Sequence, residues 1–177
     1  KYDCSDYRHI DDNFGFKNDN KNLNETEDPS TWKWTETDKL FLEFIKLAHD
    51  NGIKIIIDGV FNHTGRRFWA FKDVLEKGVN SKYRNWYNIL DFGPPVKVER
   101  WFGNDSLPCF AEDETGLAVG PQKHIFEITR RWMDPNNDGD PSDGIDGWRL
   151  DVPEDVSKKF WCDWRVLVKS INPDAYL

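Results

Sequence analysis

Cysteine is scarce in this chain. Its 177 residues include only three cysteines, Cys4, Cys109 and Cys162, which are far apart in the sequence. Three scattered cysteines are too few for a disulfide framework, an odd number leaves one unpaired, and their spacing matches no metal-binding motif. The sequence therefore indicates neither a disulfide-stapled protein nor a cysteine-ligated metal site.

Long apolar runs and clusters of positive charge are also missing. No stretch has the length or hydrophobicity of a membrane span or of a secretory signal, and the chain starts in a polar stretch. The formal net charge is −8, whereas phosphate binding needs clustered Lys and Arg. We therefore expect no membrane span, no signal segment within these residues and no nucleic-acid partner.

Aromatic side chains, in contrast, are abundant, with nine Trp, twelve Phe and five Tyr. Large flat side chains fill hydrophobic cores, and they also serve as stacking platforms for sugars because they cover area at low entropic cost. Composition alone leaves both uses open, although most of these rings are expected in the core.

The first half of the chain predicts a helix followed by a strand. Thr35 is a candidate helix cap because an acid, Asp38, follows three positions later, and apolar residues then recur at helical spacing up to Asn51-Gly52. Residues 53–61 are almost continuously apolar and β-branched, which is typical of a strand buried on both faces of a parallel sheet.

The same order returns near the end of the chain. Helices are predicted to open at Gly120-Pro121 and at Pro153, with a strand over residues 144–152 between them. A last apolar run begins at Ala175. Residues 64–120 show no sustained periodicity, which indicates a long and functional insertion. The pattern predicts an α/β fold with parallel strands and crossover helices, and eight such units would need about 250 residues.

Charged side chains stand at the end of each predicted strand. Arg149 and Asp151 are two residues apart, so they share one face of their strand, and the guanidinium keeps the carboxylate ionised. An ionised carboxylate at that position suits a glycosidase nucleophile, although a structural salt bridge explains the pair equally well. Asp58, Asn62 and His63 gather where the other strand ends, which is where barrel enzymes place their sites.

Several segments carry a resemblance to a known family, in the expected order. Residues 58–63 resemble the first conserved region of the α-amylase superfamily, glycoside hydrolase family 13, and residues 147–152 resemble its second. Residues 2–11 are similar to the segment after barrel strand two. Residues 130–135 and 143–147 are most similar to the neopullulanase and cyclomaltodextrinase-like branch.

The resemblance implies a partial (β/α)8 TIM barrel, with residues 1–63 and 121–177 in the catalytic barrel and residues 64–120 as a domain B-like insertion after strand three. It further implies a retaining hydrolase of starch-derived α-1,4- or α-1,6-glucosidic bonds. Its substrates would be α-glucans, maltooligosaccharides or cyclodextrins.

The resemblance also assigns roles to single residues. Asp151 would be the nucleophile that forms the covalent glycosyl–enzyme intermediate, and Arg149 would orient it. His63 would hydrogen-bond the sugar before the cleaved bond, Tyr2 would stack on the same ring, and Asp58 would brace Arg149. The second carboxyl group, the general acid/base, would follow the segment that ends at Leu177. We therefore expect the 177 residues alone to be inactive, because general acid catalysis contributes about 100- to 10,000-fold.

An acidic loop precedes the second strand and predicts a calcium site. It places oxygen ligands at the first, third, fifth and seventh positions and Gly at the sixth, as an EF-hand loop does, but Ile145 stands where that loop needs Glu. An acidic, solvated turn remains the alternative. The candidate Ca²⁺ ligands are Asp134, Asn136, Asp138, Asp140 and Asp143.

Three further functions stay open at this point. The chain could belong to a sucrose- or trehalose-type α-glucosidase or isomerase of the same family, to a catalytically silent sugar-binding homologue, or to a calcium-dependent scaffold module. Retention of both Arg149 and Asp151 argues against a silent homologue. A calcium loop favours an extracytoplasmic enzyme, but relatives in this branch are also cytoplasmic, so the location and the oligomeric state stay open.

Overall fold

The computed structural model describes residues 2–177. Its helices and strands are short and alternate along the chain, as the pattern predicts. In chain order they are α1 (Glu36–Asp50), β1 (Ile56–Gly59), α2 (Trp69–Lys77), β2 (Ile89–Asp91), β3 (Lys97–Val98), β4 (Glu112–Asp113), β5 (Gly116–Leu117), α3 (Val119–Met133), β6 (Gly147–Leu150) and α4 (Lys158–Ile171).

The chain forms two compact units. The first unit comprises the residues up to Asp6 together with Asp58–Ile125 and Leu150–Val166. The second unit comprises Tyr7–Ile57, Phe126–Arg149 and Leu167–Leu177. Each unit is described by itself below.

Helix α1 of the second unit begins as the sequence predicts. The Thr35 side chain accepts a hydrogen bond from the Asp38 amide, and the Asp38 carboxylate accepts one from the Thr35 amide. This reciprocal capping box satisfies two amides that the first helical turn leaves without partners. The helix ends at Asn51-Gly52, where Gly52 has a φ of 73°, a left-handed conformation that glycine adopts without strain.

Trp132 of α3 organises the core of the second unit. Its ring meets the rings of Trp34 and Phe41 edge-on, with centroids 5.4 and 5.8 Å apart. Its indole N–H donates to the backbone carbonyl of Tyr7 at 2.9 Å. The predicted apolar stripe of α3 is confirmed, since its four members are buried: Ile125, Ile128, Thr129 and Trp132.

The strands are parallel, as predicted. The Asp146 amide donates to the Ile55 carbonyl at 2.7 Å and the Asp151 amide to the Gly59 carbonyl at 3.3 Å, so β1 and β6 run in the same direction. The last apolar run also pairs in parallel, through a bridge between Gly147 and Tyr176. A Cβ on Gly147 would clash with the Tyr176 carbonyl oxygen, so this position needs glycine.

Strand boundaries and burial differ from the prediction. Strand β1 covers four residues, and Ile53 and Ile56 are half exposed, because the sheet has two strands among residues 2–177 and leaves those side chains uncovered. The expectation of burial on both faces was therefore wrong. Strand β6 stops before Val152, whose φ of 41° is incompatible with a strand. Pro153 opens a 3₁₀ turn, and α4 begins only at Lys158.

The segment 64–120 contains a helix and four short strands that its sequence pattern did not predict. Helix α2 buries Ala70, Phe71 and Val74, and two antiparallel pairs, β2–β3 and β4–β5, follow it. Gly120 lies against Trp86, and a Cβ there would clash with the indole nitrogen. Aromatic packing rather than a periodic stripe thus holds this segment, which explains why periodicity missed α2. None of the helices within residues 2–177 is long and apolar enough to cross a membrane.

Candidate active site

The residues predicted to carry chemistry stand at strand ends. In the first unit, Asp151 follows β6 directly, and its amide hydrogen bond to the Gly59 carbonyl fixes it beside the end of β1. The residue is 6% exposed. His63 comes four residues after β1 and is fully buried. The structure therefore places a buried carboxylate and a buried imidazole together at one edge of the sheet.

His63 is held as a neutral imidazole. Burial lowers its pKa, and this outweighs the opposing influence of the Asp151 carboxylate, the Tyr2 backbone carbonyl and the Asp155 carboxylate, which favour the charged ring. The Asn62 side-chain amide lies 3.1 Å from Nδ1. Because an amide nitrogen can only donate, Nδ1 accepts and the ring proton sits on Nε2.

Residues 2–4 pack against the residues that follow β1. The Gly65 amide donates to the Cys4 carbonyl at 2.7 Å, and a Cβ on Gly65 would clash with the Asp3 carbonyl oxygen. The Tyr2 carbonyl interacts with His63, while the Tyr2 side chain is half exposed. Tyr2 and His63, which the resemblance assigned to one sugar ring, therefore lie together in the structure.

The two remaining predicted site residues are exposed strand residues. Asp58 is in β1 of the first unit, and Arg149 is in β6 of the second unit. Both take part in polar interactions. That Arg149 orients the nucleophile and that Asp58 braces Arg149 stay predictions.

A cleft of about 650 Å³ opens in the first unit at Asn62. Its walls come from the segment 64–120 and from the turn after Asp151. Four carboxylates line these walls: Glu99, Glu112, Glu154 and Asp155. Asn88 donates to Glu99 at 2.7 Å, and the Ser157 amide donates to Glu112 at 2.8 Å, so protein donors orient two of these groups. Oriented carboxylates beside aromatic rings are suited to bind hydroxyl-rich ligands.

Cys109 also lines this cleft. Burial raises its pKa to about 11, and the charges of Glu99, Asp155 and Glu112 add to the effect. A thiol with this pKa stays protonated at neutral pH, and the thiolate is the nucleophilic form. Cys109 is therefore unsuited to covalent catalysis, and Asp151 remains the candidate nucleophile.

Trp101 and Asp155 are site residues that the sequence analysis missed. The Trp101 ring stacks on His63 with centroids 5.3 Å apart and an interplanar angle of 19°. Its indole N–H donates to the Asp155 carboxylate at 2.7 Å. The available signals were the aromatic content of the segment 64–120 and the acids directly after Asp151, but neither pattern specifies a partner.

In the acidic loop of the second unit, side-chain oxygens accept hydrogen bonds from backbone amides of the same loop. Asp134 accepts from the amides of Asp138 and Gly139 at 3.2 and 3.1 Å, Asn136 accepts from the Asp138 amide at 2.9 Å, and Asp138 accepts from the Asp140 amide at 2.8 Å. Within residues 2–177 no three His, Cys, Asp or Glu side chains are arranged around a common metal position.

Asp143 at the end of this loop is electrostatically strained. Burial raises the pKa of its carboxyl group, and the charges of Asp134 and Asp138 raise it further. One of its carboxylate oxygens is buried and has no hydrogen-bond partner. The donor set of carboxylate and amide oxygens is the type that Ca²⁺ prefers, so the loop is chemically suited to this ion.

A parallel α/β segment with a carboxylate and an imidazole at the strand ends, and an aromatic and acidic cleft in the same unit, is typical of the α/β-barrel enzymes. Residues 34–166 match the alpha-amylase family (alpha amylase, catalytic domain). The chain therefore belongs to the α-amylase family, and the resemblance seen in the sequence and the predicted partial-barrel fold are both confirmed.

Named relatives support the same branch. The chain is 38% identical to neopullulanase 2 of Thermoactinomyces vulgaris over 183 residues, covering 100% of the chain and 26% of that relative. It is 34% identical to a cyclomaltodextrinase of Bacillus sp, covering 100% of the chain and 27% of that relative. These relatives and the chain therefore share one region, which spans about a quarter of their length.

A solved structure shows the same fold. The cyclic alpha-maltosyl-(1→6)-maltose hydrolase of Arthrobacter globiformis, in complex with its cyclic sugar, superposes with a TM-score of 0.76 at 29% identity. The match covers 99% of this chain and 33% of that one.

Proposed function

We propose that the full-length protein is a retaining glycoside hydrolase that cleaves α-1,4- or α-1,6-glucosidic bonds of starch-derived glucans, maltooligosaccharides or cyclodextrins. The observation that carries this proposal is the placement of Asp151 beside His63: it is buried at the end of β6, and its amide donates a hydrogen bond to the Gly59 carbonyl. The names of the relatives, neopullulanase and cyclomaltodextrinase, support the substrate class.

Asp151 is the proposed nucleophile. Its carboxylate oxygen would attack the anomeric carbon and release the leaving sugar as an alcohol, and water would then hydrolyse the glycosyl ester with net retention. This chemistry needs a second carboxyl group about 5 Å away to protonate the leaving oxygen. We place that group after the strand that Tyr176 begins, which pairs in parallel beside Gly147.

His63 is the proposed hydrogen-bond donor to the sugar. Because its pKa is lowered and Nδ1 accepts from Asn62, the ring proton lies on Nε2, and the Nε2–H would donate to a hydroxyl of the ring that is attacked, beside the Tyr2 carbonyl that also interacts with the imidazole. A neutral donor suits this position, since it orients the sugar without neutralising the nearby Asp151 carboxylate. Tyr2, half exposed beside it, would stack on the same ring.

Hydrolysis assays on the full-length protein test this proposal. The wild type, Asp151→Asn and the control Asp163→Asn are compared on maltooligosaccharides, cyclodextrin and pullulan. Asp163 is a matched carboxylate that pairs with Lys159 on the surface of α4. We expect Asp151→Asn to lose activity by about 10⁴-fold or more, because the amide cannot form the glycosyl ester, and Asp163→Asn to match the wild type.

Other outcomes of this assay assign other functions. Retention of activity by Asp151→Asn would reject Asp151 as the nucleophile. Cleavage or isomerisation of sucrose or trehalose, without activity on maltooligosaccharides, would indicate the α-glucosidase or isomerase alternative. A folded wild type that binds these sugars without turnover would indicate a silent sugar-binding homologue.

We further propose that the loop Asp134–Asp143 binds a structural Ca²⁺ ion. The support is the alternation of oxygen-bearing side chains and the raised pKa of Asp143, which arises partly from the charges of Asp134 and Asp138. A divalent cation would relieve that repulsion. The internal hydrogen bonds of the loop would have to rearrange in part, because they already use Asp134, Asn136 and Asp138.

A further inference from the structure

A tight turn in the segment 64–120 carries two neighbouring aromatic residues, Trp101 and Phe102, whose rings meet edge-on with centroids 4.9 Å apart. Residues Trp101–Gly103 form a 3₁₀ turn, and Phe102 and Gly103 both have left-handed backbone angles, with φ of 48° and 69°. The turn is closed by the Asn104 amide, which donates to the Trp101 carbonyl at 2.9 Å. Phe102 is 88% exposed, whereas Trp101 is partly buried. The turn therefore keeps the Trp101 side chain partly buried and leaves the Phe102 side chain exposed to solvent.

Both ends of the Trp101 side chain are engaged. One face stacks on the His63 imidazole at 5.3 Å, and the indole N–H donates to Asp155 Oδ2 at 2.7 Å. Asp155 ends the 3₁₀ turn that follows Asp151 and Val152. Trp101 thus connects the His63 ring, which follows β1, with the turn after Asp151, the candidate nucleophile. All of these residues belong to the first unit.

We infer that Trp101 is a positioning residue for the candidate active site, acting through His63 and Asp155 rather than as a sugar platform. Asn62 holds one edge of the imidazole through Nδ1, and the Trp101 ring restricts rotation of its plane. The direction of the Nε2–H is then set before substrate arrives. This inference rests on the proposed glycoside hydrolase function.

Loss of the Trp101 contacts is expected to lower kcat. Misplacing a catalytic group by about 1 Å costs on the order of 100-fold in rate, while the bulk of a long glucan is bound elsewhere and its affinity changes little. The Asp155 bond contributes separately, because it prevents the indole from sliding off the imidazole. Loss of that bond alone should cost less than loss of the whole ring.

A double-mutant cycle on the full-length protein tests the inference, with kcat and KM measured on a maltooligosaccharide. Trp101→Ala removes the stacking and the hydrogen bond. Trp101→Phe keeps a stacking ring but removes the N–H, and Asp155→Ala removes the acceptor. Trp32→Phe is the matched control, because its indole N–H also donates to an oxygen, the Thr26 carbonyl, at 2.9 Å.

We expect kcat of Trp101→Ala to fall by about 10- to 100-fold with KM changed less than about threefold, and partial recovery in Trp101→Phe. The double variant Trp101→Phe/Asp155→Ala should be no slower than the slower single variant, because both changes break one bond. Trp32→Phe should match the wild type. If Trp101→Ala does not fold, as judged by thermal unfolding, the Phe and Asp155 variants carry the test.

Contrary results separate this inference from the proposed function. A raised KM with unchanged kcat in the Trp101 variants, or additive effects of Trp101→Phe and Asp155→Ala, would overturn the positioning role while an active wild type still supports the hydrolase. An inactive wild type would overturn both.

Discussion

At the scale of single residues, buried charged groups depend on their ion pairs for stability, whereas exposed charged groups are solvated by water and do not. His9 of the second unit has both ring nitrogens at 2.8 Å from carboxylate oxygens, Nδ1 from Asp38 and Nε2 from Glu25. Arg131 approaches Asp38 at 3.4 Å. The Asp38 side chain is fully buried and also accepts the amides of Ile10 and Thr35. This carboxylate therefore ties the polar N-terminal stretch to α1 and α3.

Replacing Asp38 should be strongly destabilising. Asp38→Ala removes the buried carboxylate that His9 and Arg131 share, and loss of a buried ion partner typically costs about 3–5 kcal/mol, whereas the exposed pair of Lys159 and Asp163 contributes about 0–1 kcal/mol. Chemical unfolding of the full-length protein, with Asp38→Ala beside Asp163→Ala, measures the difference. Equal stability of the two variants would show that the buried network contributes nothing.

At the scale of elements, the start of α1 follows a local signal, and the acidic loop before β6 is the element for which we propose a calcium-binding function. Four of its side chains already accept backbone amides, from Asp134 to Asp140, so the loop has a defined shape. The raised pKa of Asp143 means that the folded state disfavours its ionised form, so this residue costs stability as the pH rises through its pKa.

Calcium should reverse that cost. We expect Ca²⁺ to raise the thermal unfolding temperature of the full-length protein near neutral pH, an excess of chelator to lower it, and the effect to shrink as falling pH protonates Asp143. Asp138→Ala should abolish the calcium effect, and Asp163→Ala, with its carboxylate on α4, should retain it. If the unfolding temperature of the wild type is the same with and without calcium, the loop is a solvated acidic turn.

At the scale of the whole molecule, the chain shows apolar surface that a complete barrel would cover. It spans about a quarter to a third of the length of its relatives. Ile53, Ile56 and Tyr176 on or beside the sheet are half exposed, and so are Phe44 and Leu47 on α1. Exposed apolar faces and open sheet edges favour association with other chains.

The isolated 177 residues should therefore not hydrolyse glucans. With the second carboxyl group placed after Tyr176, as proposed, these residues alone would not protonate the leaving oxygen, a loss of about 100- to 10,000-fold, and exposed apolar surface adds a tendency to aggregate. Assays of the isolated chain and of the full-length protein on the same maltooligosaccharide measure this, with light scattering to detect aggregates. Comparable turnover by the two proteins would show that the chain carries a complete site.

The sequence by itself determined the features that depend on near neighbours. The Thr35–Asp38 cap, the buried stripe of α3 and the parallel strands all follow from spacings of a few residues, because capping and amphipathicity are local properties. The placement of Asp151 and His63 at strand ends was predictable for the same reason.

Only the tertiary structure decided which residues meet across long stretches of chain. Trp101 and Asp155 are 54 residues apart, and nothing in either local sequence names the other as its partner. Strand ends were also set by context, since Val152 is β-branched and yet adopts a left-handed angle before Pro153. Helix α2 is held by aromatic packing of the first unit rather than by its own periodicity. Local patterns determine the cap of α1 and the stripe of α3, whereas the path of the chain determines which side chains complete the site.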